Sequence, residues 1–217
     1  LTATDPGGLA ASDSFLLTVL PNLPNAGVTT DPLLVTAVNL AARAYSNLHY
    51  EVQGKSVAAI DATIQGWSPV PIACFEADLQ DHLQVYDHVT RYENQNASAS
   101  VALTLLNGKR TLGLSFEGTN FALTDSDLVQ RMDLWDDLIF VDRHYSRLND
   151  FLTAVAAYAN DERNEIEQIV VVGHSLGGAM VQRFMSKYGM TDESYIGITF
   201  GSPGNAAHDE IPANRLL

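Results

Sequence analysis

The chain has 217 residues, 26 Asp+Glu against 12 Lys+Arg for a formal net charge of −14, and 46% hydrophobic residues. That size suits one domain, or one domain with a small appendage, and allows a substantial core. The charge argues against nucleic acid, whose phosphates the chain repels overall, and against strongly anionic membranes, while neutral lipids and esters stay open.

The lone Cys74 excludes an intramolecular disulfide. No stretch approaches the ~20 apolar residues of a membrane-spanning helix. Leu1 opens the chain without a start Met or a basic leader, so it reads as a piece of a longer precursor, secreted or displayed at a cell surface.

In chain order, Leu1-Thr2-Ala3-Thr4, the turn signal Asp5-Pro6-Gly7-Gly8 and the strand-like Ser14–Val19 predict a β-hairpin over 1–20. It resembles the last hairpin of the cadherin-like or immunoglobulin-like repeats of large bacterial surface proteins; the alternative is a hairpin of the main domain. Three prolines between Pro21 and Pro32 mark 21–32 as a linker, which leaves 33–217 as the main domain.

Asp31-Pro32 opens a predicted helix, Asp31 as cap and Pro32 in the first turn, with an apolar face of Leu33, Ala37, Leu40, Ala41, Ala44 and Leu48. Val57–Ile64 and Val70–Phe75 fit short strands, and the polar stretch Asp78–Glu93 is open. Ala99–Leu106 and Arg110–Phe116 flank Asn107-Gly108, a hairpin signal because both positions tolerate positive φ. Tyr145, Leu148, Leu152, Val155 and Ala159 make a helical stripe within Asp142–Ala159.

The β-branched run Gln168–Val172 then leads into Gly173-His174-Ser175-Leu176-Gly177 and a predicted helix over Ala179–Tyr188. A G-x-S-x-G pentapeptide between a strand and a helix describes a nucleophile elbow, with glycines where side chains would collide. Ser175 would sit at a helix N-terminus, whose N–H groups stabilise negative charge on a reacting oxygen. Tyr195–Phe200 is a further apolar strand, and strand–helix–strand predicts parallel α/β pairing.

Four segments form a set: Ser115-Phe116-Glu117-Gly118-Thr119, then Asp133-Leu134-Trp135-Asp136-Asp137-Leu138, then the elbow, then Thr199-Phe200-Gly201-Ser202-Pro203. In this order, over 33–217, they resemble the class 3 lipases, the α/β-hydrolase family that includes the fungal triacylglycerol lipases. The resemblance implies an α/β-hydrolase-type, mostly parallel sheet flanked by helices and incomplete at its C-terminus. It implies Ser175 as nucleophile, Thr119 as an oxyanion-hole residue, and the Leu176 backbone N–H as the second donor, with no cofactor. The implied activity is carboxylic-ester hydrolysis, as a triacylglycerol-type lipase or alternatively as a phospholipase A1 or general carboxylesterase. The implied partner is a lipid or small ester, met at a lipid–water interface. A reading of another class is an inactive hydrolase-like binding module of a large surface or secreted protein.

One position departs from the family pattern, which commonly has arginine where this chain has Glu117. Asp136 and Asp137 would then look to another cation, with Arg131 and Arg143 nearest in sequence. The stretch from Asn120 to Met132 occupies the family's lid region, where Asp125 or Ser126 would cap a short helix carrying Leu128, Val129 and Met132; the alternative is an ordinary surface helix.

His174 is not a base candidate, because adjacent side chains on such a turn diverge. His82 and His88 among Asp78, Asp81 and Asp87 match no recognised metal spacing, so the site has no metal; Asp5 and Asp13 would be calcium ligands only within a cadherin-like repeat. Asn96-Ala97-Ser98 has the sequon pattern. The family order is Ser, Asp, His, both partners tens of residues after the nucleophile, and 42 residues follow Ser175. The expected place of acid and base is therefore beyond Leu217, with the adjacent His208 and Asp209 as in-chain substitutes.

Overall fold

The computed structural model describes residues 2–4, 10–12, 32–44, 66–86, 88–95, 97–118 and 134–202, of which 2–4, 10–12 and 134–140 are described as backbone alone. The chain divides into two units, Leu1–Thr30 and Asp31–Leu217.

In the first unit, β1 (Thr2–Thr4) pairs antiparallel with β2 (Ala10–Ser12). A hairpin is thus present, with its second strand at a segment the composition did not single out. The expected strand at Ser14–Val19, the turn at Asp5–Gly8, and Asp5 and Asp13 themselves lie outside the described residues. Nothing in this short ladder supports a cadherin-like repeat.

The second unit begins with helix α1 (Pro32–Arg43). It buries Ala37, Leu40 and Ala41, the 3.6-residue stripe predicted, while Asp31 and Leu48 lie outside the described residues. Two residues of β3 (Ser68–Pro69) follow, and then a 3₁₀ turn over Ile72–Cys74. The strand expected at Val70–Phe75 is therefore not formed; Pro71, which has no N–H to give a ladder, starts the turn instead. The strand expected at Val57–Ile64 lies outside the described residues.

The polar stretch resolves into a single turn of helix, α2 (Ala77–Gln80), and two strands, β4 (Leu83–Tyr86) and β5 (Val89–Asn94). Next come β6 (Ala97–Leu106), β7 (Lys109–Phe116), helix α3 (Leu134–Asn160), β8 (Gln168–His174), helix α4 (Leu176–Phe184) with a π turn over Met185–Gly189, and β9 (Tyr195–Phe200).

The sheet runs β4-β5-β6-β7-β8-β9, with β3 continuing the β5 side of β6. It is mixed rather than mostly parallel, a correction to the expectation. Among the described strands, only β7–β8 and β8–β9 are parallel. The cause is local. β4, β5, β6 and β7 are joined by tight turns in which His88, Gln95 and Asn107-Gly108 take positive φ, and such turns permit only antiparallel neighbours. The parallel pairs are those whose connections are long enough to contain helices, α3 and α4.

Helices cover both faces. Along β8, Ile169 and Val171 enter one core with Leu112, Leu114 and Phe116 of β7, the α3 stripe and the apolar residues of α4. Val170 and Val172 enter the other core, under Ala37, Leu40 and Ala41 of α1. Each of these three valines is completely buried, a gain of about 1.5–3 kcal/mol apiece. The α3 side is reinforced by Tyr92 stacked on Phe151, ring centroids 4.8 Å apart and ring planes nearly parallel. Asp142 of α3 and Arg183 of α4 join in a salt bridge. A central strand buried on both faces has little freedom, and it carries the turn described next.

Candidate active site

β8 ends where Ser175 turns the chain with φ 55° and ψ −126°, a conformation that side-chain-bearing residues rarely adopt and that costs about 1–3 kcal/mol. Among the described residues four other non-glycine residues have positive φ, and all are in connecting turns. At Ser175 the strain stands between a buried strand and a buried helix, where surrounding packing can impose it. The N–H of Ser175 donates to the carbonyl of Phe200 on β9 at 2.9 Å, and its own carbonyl accepts the N–H of Gly178 at 2.8 Å. The serine hydroxyl makes no capping bond to the helix that it opens. The residue is half-buried.

The pentapeptide glycines are explained by contact. A methyl group built on Gly173 would meet the carbonyl carbon and oxygen of Gly177 at 2.3 Å. One on Gly177 would meet the carbonyl oxygen of Phe116 at 2.5 Å and the nitrogen of Gly118 at 3.2 Å. The start of α4 therefore lies against both its own strand and the exit of β7, and only hydrogen fits at either position.

Leu176 is the first residue of α4 and is buried. The first N–H groups of a helix have no partner within it, so the backbone beside Ser175 presents donors that favour an anion. Strand register brings the exits of three strands level: Phe116 opposite Gly173, and His174 opposite Phe200. The C-terminal ends of parallel strands are where open α/β sheets bind ligands. Ser175 and Leu176 lie there, and the next residue after Gly118 is Thr119. Thr119 itself, Asn120–Met132, Arg131, His208 and Asp209 lie outside the described residues, as do the side chains of Asp136 and Asp137.

His174 ends β8 with its side chain partly exposed, and the burial that remains lowers its pKa. That burial disfavours the charged imidazolium. Among the described residues no three His, Cys, Asp or Glu side chains gather in a way that would hold a metal ion.

The residue the sequence reading missed is Arg91 of β5. Its Nη2 donates to Glu117 Oε2 at 2.6 Å and its Nε to Glu93 Oε1 at 2.6 Å, while Nη1 donates to the carbonyl of Ala44, just past α1. Its side chain is 3% exposed and that of Glu117 11%. Burial raises the Glu117 carboxyl above the ordinary carboxylate value, against the opposing pull of Arg91. Glu117 thus has its own buried cation. The signal was a charged residue within the half-apolar run Val89-Thr90-Arg91-Tyr92, which marks a buried ion pair without naming its partner.

Comparison with known protein families and with characterised proteins finds no match. Among solved structures, the chain is similar to the extracellular lipase LipA from Serratia marcescens, with a TM-score of 0.54 and 18% identity over 86% of this chain and 38% of that one. At that identity the likeness shows a lipase-like α/β fold and no more, and the chain spans 38% of that lipase's length. No described helix is long and apolar enough to cross a membrane.

Proposed function

We propose that this chain carries the nucleophile of a serine carboxylic-ester hydrolase, a triacylglycerol-type lipase related to the class 3 lipases, in a protein secreted or held at a cell surface. The observation that supports it above the others is Ser175 itself. Its backbone is held in a strained conformation at the exit of a central parallel strand, by neighbours that leave no room for side chains at Gly173 or Gly177. The other described non-glycine residues with positive φ lie in connecting turns, whereas here the strain falls on the serine of a strand–turn–helix elbow.

In this reading the Ser175 Oγ attacks the ester carbonyl after giving its proton to a histidine base. The carbonyl oxygen gains negative charge and is received by the Leu176 N–H and by Thr119. Collapse of the tetrahedral intermediate expels the alcohol and leaves an acyl-serine, which water then hydrolyses. Leu128, Val129 and Met132 would cover the acyl pocket and open at a lipid–water interface.

The test is hydrolysis of p-nitrophenyl esters, triacylglycerol emulsions and phospholipid vesicles by the intact protein and by Ser175→Ala. The proposal expects triacylglycerol turnover that the substitution abolishes while the fold is kept. Preference for phospholipid would make the protein a phospholipase A1, and preference for soluble esters a carboxylesterase. A folded protein inert on all three would make it a binding module and end the enzyme reading.

A further inference from the structure

Arg91 belongs to β5, three places from β8 in the sheet order, yet its guanidinium joins two distant parts of the chain. Through Nη1 it holds the carbonyl of Ala44 at the C-terminal end of α1, where a cation also complements the helix dipole. Through Nη2 it holds Glu117, 26 positions along the sequence, across the intervening strand β6. In register Arg91 stands opposite Ser100, and Ser100 opposite Ser115, so the reach follows a row of small polar side chains.

Such a pair is poor evidence for stability. Taking two charges out of water costs as much as their attraction returns, and well-packed apolar residues do as well or better. The raised Glu117 carboxyl says the same of this pair: desolvation outweighs the cation beside it. What the pair fixes is the main chain at the exit of β7. The Glu117 N–H donates to the Ser98 carbonyl at 3.1 Å. The carbonyl of Phe116 and the nitrogen of Gly118, on either side of Glu117, are the groups pressed against Gly177 in the first turn of α4. The side chain of Glu117 is therefore anchored at one end of a short backbone stretch whose other contact is the helix that begins at Leu176.

We propose that Arg91 and Glu117 act as a positioning pair for the ester-cleaving site, holding the Glu117–Gly118 backbone against the elbow so that the donors around Ser175 keep their geometry. This rests on the reading of Ser175 as the nucleophile. Neither side chain touches substrate. Both act through the backbone, and their loss is felt in turnover rather than in binding, because misplacement of transition-state donors leaves ground-state contacts in place.

The experiment measures ester hydrolysis and thermal unfolding of the intact protein carrying Glu117→Gln, which keeps the side chain's shape, or Arg91→Lys, which keeps the charge and gives up the forked contacts. Expected is a fall in kcat of ~10- to 100-fold for each, the scale on which displaced catalytic groups lose rate. KM should stay within about twofold, the pattern of an interaction used only in the transition state. The double variant should be no slower than the slower single one, since both break the same link. Both variants should stay folded at the assay temperature, so that kcat falls at temperatures well below their melting transitions. Asp161→Asn, which alters the exposed Asp161–Arg163 pair, should change neither quantity. A fluorophosphonate label on wild-type Ser175 reports the nucleophile separately. Without labelling, the nucleophile reading fails and takes the pair's role with it. With labelling but unchanged kcat in both variants, or kcat lost only in step with melting temperature, the positioning role alone is overturned.

Discussion

Gly173 and Gly177 approach so closely that a methyl group on the first would stand 2.3 Å from the carbonyl oxygen of the second. The obstacle is backbone rather than a yielding side chain. Gly173→Ala must therefore push α4 away from β8, and should destabilise the protein by about 1–3 kcal/mol in urea unfolding, the usual cost of overpacking. It should also remove ester hydrolysis, because the elbow moves with the helix. A Gly173→Ala protein as stable and as active as wild type would contradict the contact.

Ser175 stores strain that a glycine would not feel. Replacing it with glycine should raise stability by ~1 kcal/mol or more while abolishing hydrolysis, since positive φ is free for glycine and costs other residues about 1–3 kcal/mol. The check is a pair of urea titrations beside an activity assay. Loss of stability on Ser175→Gly would show the turn to be unstrained.

Glu117 makes a pH prediction whose sign follows from its direction of shift. Its carboxyl is raised in the folded protein by desolvation, against Arg91, and takes its ordinary value in the unfolded chain. The folded state therefore binds this proton more tightly. Stability from the group is full below the unfolded pKa and is lost as pH rises through the folded one. Glu117→Gln is neutral at every pH, so its stability relative to wild type should grow from the acidic end of the carboxylate range toward neutrality. Melting temperatures of both proteins across that range decide it, and a difference that shrinks with rising pH would contradict the shift.

Thr119 is assigned by resemblance, directly after the Gly118 that lies against the elbow. Thr119→Val should lower kcat ~10²–10³-fold, the loss typical of one oxyanion donor, with little change in KM. If the hydroxyl is the donor, Thr119→Ser should keep much of the rate. A valine variant as fast as wild type would remove this residue from the site.

The strand, turn and helix around Ser175 were legible in the sequence because their signals are local. Val170-Val171-Val172, the pentapeptide glycines and the Leu148–Leu152–Val155 stripe each lie within one element and carry its period. Asn107-Gly108 likewise fixed one hairpin. β4 and β5 were not legible: β4 buries only Leu83 of its four residues, so it shows no alternation. The balance of parallel and antiparallel pairing was misjudged because it depends on the turns at His88 and Gln95, which have no glycine to announce them. The tie between Arg91 and Glu117 was hidden for a different reason, since it exists only once β5 and β7 are placed on either side of β6.

The central claim is that Ser175 is a reactive nucleophile. Its most direct test is reaction of the intact protein with a fluorophosphonate, followed by peptide mass spectrometry. The account predicts a stoichiometric adduct on the peptide carrying Gly173–Gly177, located at Ser175, absent from Ser175→Ala and matched by loss of ester hydrolysis. A folded wild-type protein that takes up no label, or that is labelled at another serine, would contradict it.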